Sequence, residues 1–327
     1  MTPTGETTGA AIERAAVVGS GYMGGGIAQM LALAGVDVAL GDVDAERAEA
    51  ARVRLIDEAR RLEGAGLFDA GSAEVLSTRL RAATSVEDAV ADVDYVTEAV
   101  FESRPVKTEA LARISAAARP DTIIGSNTSA IPIGELAASV TLPERFLGVH
   151  WMNPAPFIPG VEIIPSESTR EDAVLRVEEL MRRAGKVPVR VADTPGFVAN
   201  RLQFALYKEA VRIVEEGLAA PEQIDLIVSN AFGFRLALFG PFAIGDMAGL
   251  DVYAASYETL ASVYGERLAA PDALLSVVGE GNLGLKSGGR GFLDIDPEKK
   301  DALVAYRDAA YRELDQLRKR LGPPPGL

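Results

Sequence analysis

Residues 17–35 read VVGSGYMGGGIAQMLALAG. Two valines run directly into Gly19, Gly21 and Gly24, spaced G-x-G-x-x-G, and an Ala/Leu/Met-rich helical stretch follows. A strand that turns sharply into a helix needs each glycine for its own reason. Gly19 permits the tight turn, Gly21 lets a diphosphate approach the backbone, and Gly24 lets the helix lie close to the sheet. Phosphates would rest on the free N–H groups of the first helical turn, which holds Tyr22 and Met23. An ordinary glycine turn would satisfy the same letters, so the next strand decides. VDVALGDVD (36–44) ends at Asp42, about 20 residues on, where a carboxylate accepts from a ribose 2′-hydroxyl and repels a 2′-phosphate. The pair of elements predicts an NAD site in preference to NADP.

Outward from this unit, short β-branched runs alternate with helix-length segments: RAAVVGSG (14–21), VDVALGDVD, VDYVTEAV (93–100), DTIIGSNTS (121–129), RFLGVHW (145–151), GVEIIPS (160–166) and KVPVRVAD (186–193). That rhythm predicts an α/β domain, a Rossmann-type doubly wound and mostly parallel sheet, over residues 13–193. Beyond Asp193, Val198, Leu202, Ala205, Leu206, Ala210, Ile213 and Val214 recur at helical spacing and strand-like runs nearly vanish, predicting an all-α C-terminal domain over 194–327. Residues 1–12 read as a flexible tail, and the C-terminal GPPPGL has a similar composition.

Composition narrows the chemistry. With 33 Lys+Arg against 47 Asp+Glu, the net charge of −14 opposes nucleic acid and anionic membrane partners. The absence of cysteine removes disulfides, thiol nucleophiles and Cys-ligated zinc, and a single histidine removes a His-rich metal site. Redox chemistry would therefore need a borrowed cofactor. No apolar run reaches membrane-spanning length and no basic-then-apolar leader opens the chain, which reads as a cytoplasmic protein.

The one histidine, His150, stands in GVHWMNPAP (148–156) beside the one tryptophan, Trp151. A lone histidine is more often a hydrogen-bonded core or surface residue than a catalyst, so its context must decide.

That context resembles the 3-hydroxyacyl-CoA dehydrogenase family over about residues 14–294. The likeness is carried, in order, by VVGSGYMGGGIA, TEAVFESRPVK, SNTSAIPI, GVHWMNPAPFIPGVEII, DTPGFVANR, GPFAIGDMAGLD and GLKSGGRGF. The resemblance implies a secondary-alcohol dehydrogenase using NAD. Such chemistry requires a base to take the hydroxyl proton as hydride leaves the same carbon; an imidazole titrates in the working range, and His150, expected at a strand-end loop, suits it. By resemblance Glu162 is the carboxylate that orients the imidazole, while Ser129 and Asn200 hydrogen-bond the reacting oxygen. From the residues alone, Glu162 could equally be a solvent-facing strand glutamate, Ser129 a cap and Asn200 an interface residue. Glu102, Lys107, Asn127, Asn153 and Lys286 correspond to residues that line the cofactor in relatives; Glu102 and Lys107 would also fit a helix-surface ion pair.

The family's CoA contacts fall near Glu58 and Ala65, where this chain lacks their serine and lysine-rich stretch; Arg60 and Arg61 are the substitutes at hand. The Phe pair after the histidine is here Trp151 and Met152, either a reshaped acyl pocket or a core swap. The substrate is therefore expected to be an L-3-hydroxyacyl thioester such as 3-hydroxybutyryl-CoA. A free 3-hydroxy acid (gulonate- or carnitine-like) or a carrier-protein thioester is the alternative. A non-catalytic NAD-binding role is the remoter one, since a family member serves as a lens crystallin. No metal is expected. A homodimer formed through the helical domain is implied by the resemblance.

Overall fold

Eight short strands build one sheet: β1 (Arg14–Val18), β2 (Asp37–Gly41), β3 (Leu80–Ala82), β4 (Tyr95–Glu98), β5 (Ile123–Ser126), β6 (Phe146–Trp151), β7 (Gly160–Pro165) and β8 (Val187–Arg190). In the computed structural model, which describes residues 10–325, their order is β3-β2-β1-β4-β5-β6-β7-β8. All neighbours are parallel except β6 and β7. Strands β4, β5 and β6 are buried along their whole length, as near-continuous apolar runs in a sheet covered by helices on both faces must be. Two apolar clusters form, one per face. The first gathers Val17, Leu40, Val149, Trp151 and Ile163 under helices Tyr22–Leu33 and Glu171–Arg183. The second gathers Val18, Val96, Ile124, Phe146, Ile164 and Phe197.

The strand order runs outward in one direction from β1 and in the other from β4. Crevices in open sheets lie at such a reversal, beyond the carboxyl ends of the strands.

Seven of the strands coincide with the apolar runs of the sequence. The eighth, β3, is three residues at the sheet edge and carries no run of its own. His150 is the fifth residue of β6, inside the strand and not in a loop beyond it. This corrects the expectation: Trp151 still pairs with Val161, so the ladder continues past the histidine.

Of the expected tail, residues 1–9 lie outside the described residues. Ile12 is buried in the first cluster, and its carbonyl accepts from Arg183 while that of Ala10 accepts from Arg176 Nε at 3.0 Å.

The chain divides into two compact units, 1–206 and 207–327, the division falling inside helix Ala199–Glu215. Among the described residues the second unit contains helices and isolated bridges but no strand. None of the residues of helix Ala199–Glu215 is buried: its expected apolar stripe is in place, but Leu202 is 60% exposed.

Candidate active site

A cavity of about 710 Å³ opens at the reversal between β1 and β4. Gly19, Gly21, Met23, Asp42, Glu102, Asn127 and Ser129 line it, together with Arg47, Phe101 and Arg113, which sequence reasoning did not single out. The three glycines are distinguished by what a Cβ would meet. At Gly24 it would stand 1.9 Å from the Gly19 carbonyl oxygen, and at Gly19, where φ is +95°, 2.6 Å from the carbonyl oxygen of Ala99. At Gly21 nothing lies within 4 Å. Two glycines are thus demanded by the protein's own packing, while the third leaves a bare backbone facing open space in the cavity, the surface a diphosphate requires.

Asp42, at the end of β2, accepts from the N–H and Oγ of Ser20 and from the N–H of Val43 at 2.8 Å. Burial works to raise its carboxyl, but these donors and nearby Arg47 outweigh it and hold the group below the ordinary aspartate value. The anion a ribose hydroxyl would donate to is therefore secured. Tyr22 is exposed and is not among the lining residues.

Beneath the cleft runs a chain of polar groups, buried at Glu98 and Lys107 and reaching the surface at Glu102. Glu98, at the end of β4, accepts from Ser126 Oγ at 2.5 Å, from the N–H of Val100 at 2.8 Å and from Lys107 Nζ at 2.7 Å. Lys107 is wholly buried and reaches on to Glu102 at 3.3 Å. Glu102 in turn accepts from Thr128 Oγ1 at 2.6 Å and from the N–H of Ser129 at 2.9 Å. A surface ion pair is excluded for Lys107 by this burial. Lys107 does not line the cavity; it acts on the cleft through Glu102. The glutamate at 98 gave no signal in the sequence beyond its place in an apolar run, yet a fully buried lysine demands such a partner. Burial tends to raise the Glu102 carboxyl, but the donors from Thr128, Ser129 and Lys107 hold it below the ordinary glutamate value.

At the antiparallel junction His150 and Glu162 are direct cross-strand partners. Opposed residues in an antiparallel pair present their side chains on the same face, and the second apolar cluster flanks them there with Phe146, Ile164 and Phe197. His150 Nδ1 meets Glu162 Oε2 at 2.9 Å. The other carboxylate oxygen, Oε1, accepts from the backbone N–H groups of Val198 at 3.0 Å and Ala199 at 2.9 Å. Gly196 and Phe197 both have positive φ, +74° and +49°, so the chain turns through a conformation that is costly for phenylalanine and delivers those two amides to the carboxylate. Burial would raise Glu162; the bonds from His150, Ala199 and Val198 prevail and keep its carboxyl below the ordinary value. The imidazole packs 5.7 Å, centroid to centroid, from the buried Phe197 ring. Gly148, on the same face of β6, leaves room for Ile133, whose Cδ1 would lie 2.7 Å from a Cβ there.

Ser129 and Asn200 are brought together by a hydrogen bond from Asn200 Nδ2 to the Ser129 carbonyl at 2.7 Å. Among the described residues neither the Ser129 hydroxyl, nor the side-chain Oδ1 of Asn200, nor His150 Nε2 is used in a protein hydrogen bond. The segment 193–200 is stitched further by Asp193, read from the sequence only as the domain boundary, whose carboxylate accepts from the N–H groups of Ile133 and Gly134.

Asn127 serves the site from below, its Oδ1 accepting from the N–H of Trp151 at 2.9 Å. Asn153 is exposed on the connection after β6. Trp151 points to the face opposite His150 and is buried with Leu147, Val149 and Val161, the packing of a core position. Lys286 belongs to the second unit, where its Nζ pairs with Asp251 at 2.9 Å.

Comparison with known proteins agrees with this architecture. Residues 14–194 match the family model of the 3-hydroxyacyl-CoA dehydrogenase NAD-binding domain, and residues 196–294 match that of the same family's C-terminal domain. Over 297 residues, 90% of this chain and 95% of the relative, the chain is 38% identical to 5-formyl-3-hydroxy-2-methylpyridine 4-carboxylate 5-dehydrogenase of Mesorhizobium japonicum. It is also 38% identical over 286 residues, 87% and 98% of the two chains, to a probable 3-hydroxybutyryl-CoA dehydrogenase of Bacillus subtilis. Among solved structures, the 3-hydroxyacyl-CoA dehydrogenase of Archaeoglobus fulgidus superposes with a TM-score of 0.76 at 32% identity, covering 95% of this chain and 99% of that one. The protein belongs to the 3-hydroxyacyl-CoA dehydrogenase family and is an NAD-dependent oxidoreductase.

Proposed function

We propose that the protein interconverts an L-3-hydroxyacyl thioester, of the 3-hydroxybutyryl-CoA type, with its 3-oxoacyl form, using His150 as general base and acid. The observation that carries this reading is the 2.9 Å bond between His150 Nδ1 and Glu162 Oε2, which commits one ring nitrogen and leaves Nε2 for the substrate. Gly19, Gly21, Met23, Gly24 and Asp42, with Glu102 and Asn127, would hold NAD in the cleft; Tyr22, Asn153 and Lys286 are retained as further contacts on resemblance.

NAD supplies the hydride acceptor. His150 Nε2 takes the proton of the hydroxyl as the carbon–hydrogen bond breaks. Glu162 fixes the tautomer with Nδ1 protonated and balances the imidazolium that forms. In the opposite direction the imidazolium returns its proton to the forming alkoxide. The Ser129 hydroxyl and the second N–H of the Asn200 amide are donors suited to the oxygen on which charge develops. Lys107 and Glu98 support Glu102, and through it the Ser129 backbone.

A second reading, a free hydroxy acid, is favoured by one feature of helix Ala45–Gly64. Arg60 is engaged by Asp57 at 2.5 Å, and Glu58 stands one turn from Arg61, which weakens this surface as a receptor for nucleotide phosphates. The pyridine carboxylate named for the Mesorhizobium relative supports an acid without a carrier in the same way. Purified protein supplied with NAD and, in turn, 3-hydroxybutyryl-CoA and free 3-hydroxybutyrate separates the readings by NADH absorbance, with His150→Ala as control. Turnover of the thioester alone supports the first; no turnover of any hydroxy substrate sinks both.

We assign residues 13–193 to cofactor binding and 194–327 to the substrate and to dimerisation. The second unit exposes Leu226, Ile227, Phe242 and Val263, apolar area that a second copy would cover. Sedimentation at micromolar concentration tests this.

A further inference from the structure

Helix Glu171–Arg183 ends in a left-handed turn at Gly185 (φ +72°), with the N–H of Gly185 donating to Arg182 and that of Lys186 to Met181 at 2.9 Å. This is the paired closure of a Schellman motif, a rigid mount for residue 186. From it the Lys186 side chain runs into the protein, where it is 6% exposed. Its Nζ donates to the carbonyls of Ala155 at 2.6 Å, Ile158 at 2.9 Å and Pro156 at 3.2 Å, and lies 5.5 Å from the centroid of the Trp151 ring. An ammonium has three N–H donors, and all three are taken by one turn of chain. Among the described residues no carboxylate lies within ion-pair distance of it. Burial, unopposed by any charge, holds it below the ordinary lysine value.

The turn so gripped is the connection between β6 and β7. The N–H groups of Phe157 and Ile158 both donate to the Pro154 carbonyl. The turn also lies against the helix that follows the glycine motif: a Cβ on Gly26 would be 3.0 Å from Pro156 Cδ and 3.3 Å from Ala155 Cβ. It leaves β6 just after His150–Trp151 and enters β7 two residues before Glu162. A cation buried without a counter-ion is unfavourable unless its hydrogen bonds are complete, and here completion requires the carbonyls of 155, 156 and 158 to converge. The turn therefore has little freedom while the lysine is charged.

We propose that Lys186 is a positioning residue whose buried ammonium locks the 154–158 turn and thereby holds His150 in register with Glu162. Its consequence for turnover rests on His150 being the base; its structural content does not. The chain has one histidine and one tryptophan, and both lie at this point, so imidazole NMR resonances and indole emission each report a single site.

The test compares Lys186→Met and Lys186→Arg with the wild type. In Lys186→Met the His150 ring resonances move, Trp151 emission shifts, and kcat falls about ten- to a hundredfold, the range expected from misplacing a catalytic group, while the KM for NAD changes less than about twofold. Lys186→Arg, which retains a cation with several donors, recovers part of both signals. A folded Lys186→Met whose His150 resonances match the wild type overturns the proposal. If that variant does not fold, the wild type decides at alkaline pH. Among the described residues the turn, β6 and the two flanking helices present no charged side chain to Nζ within ion-pair distance, only carbonyls and the Trp151 ring. Loss of the ammonium proton then shifts Trp151 emission and the His150 resonances with one midpoint; His150 resonances that stay flat through the Trp151 transition overturn it. Moved resonances with unaltered kcat would support the positioning role and count against His150 as the base.

Discussion

A Cβ at Gly24 would sit 1.9 Å from the carbonyl oxygen of Gly19, whereas a Cβ at Gly21, two residues beyond Gly19, would touch nothing within 4 Å. The two positions therefore separate packing from cofactor binding. Gly24→Ala should destabilise the fold by about 3 kcal/mol or more, as forced overpacking does. Gly21→Ala should leave unfolding within about 0.5 kcal/mol of the wild type yet weaken NADH binding at least about tenfold, or about 1.4 kcal/mol. Denaturant unfolding and NADH fluorescence titration on both variants check this; equal loss of stability in the two would refute the distinction.

His150→Ala should lower kcat by about 10² to 10⁴-fold, the usual share of general acid–base catalysis, with NAD affinity changed by less than about twofold. Glu162→Gln should lose activity on a similar scale, because an amide no longer enforces the Nδ1-protonated tautomer. Single-turnover NADH formation, paired with calorimetric NAD binding, separates the two effects. Retained activity in His150→Ala would remove the base assignment.

The pH dependence of stability follows from Glu162. Its carboxyl ionises below the ordinary glutamate value of 4.5 because His150 and the amides of Val198 and Ala199 stabilise the anion against its burial. Its stabilising contribution is present above that value and is lost as pH falls through the folded-state one. The gap in unfolding free energy between wild type and Glu162→Gln should thus be constant near neutrality and close below about pH 4.5. A gap that widens on acidification would contradict the bonding described.

Asp42→Asn keeps the shape of the β2 end while removing its charge. Discrimination against NADP should shrink about tenfold, from both weaker NAD binding and relief of repulsion on a 2′-phosphate. The ratio of kcat/KM for the two cofactors measures this directly.

Most of the sheet was legible because buried parallel strands are written as apolar runs, and the glycine turn because each glycine answers a separate steric demand. Strand β3 carries no such run, since three residues at an edge need no apolar signature. The reversal at β7 had a signal in its length, since residues 152–159 are too few for a helical crossover. Residues 150 and 162 meet across the β6–β7 ladder because they are opposed in its register. Lys107 and Glu98 were harder to read, because a sequence does not state which lysine is buried, and burial is what changes a surface pair into an internal support. Asp193 and the strained Phe197 could be recognised only once the backbone amides they serve were located.

The imidazole and its acid are 12 residues apart along the chain, joined by a single tight reversal. Closing so short a circuit restricts few conformations, and the restriction grows only slowly with added length. The pair proposed to handle the proton is consequently a local fragment that folding can assemble early. On the proposed role of Lys186, inserted residues between the two partners should cost most where they pull the carbonyls of 155, 156 and 158 away from its ammonium, and least where that grip is left intact.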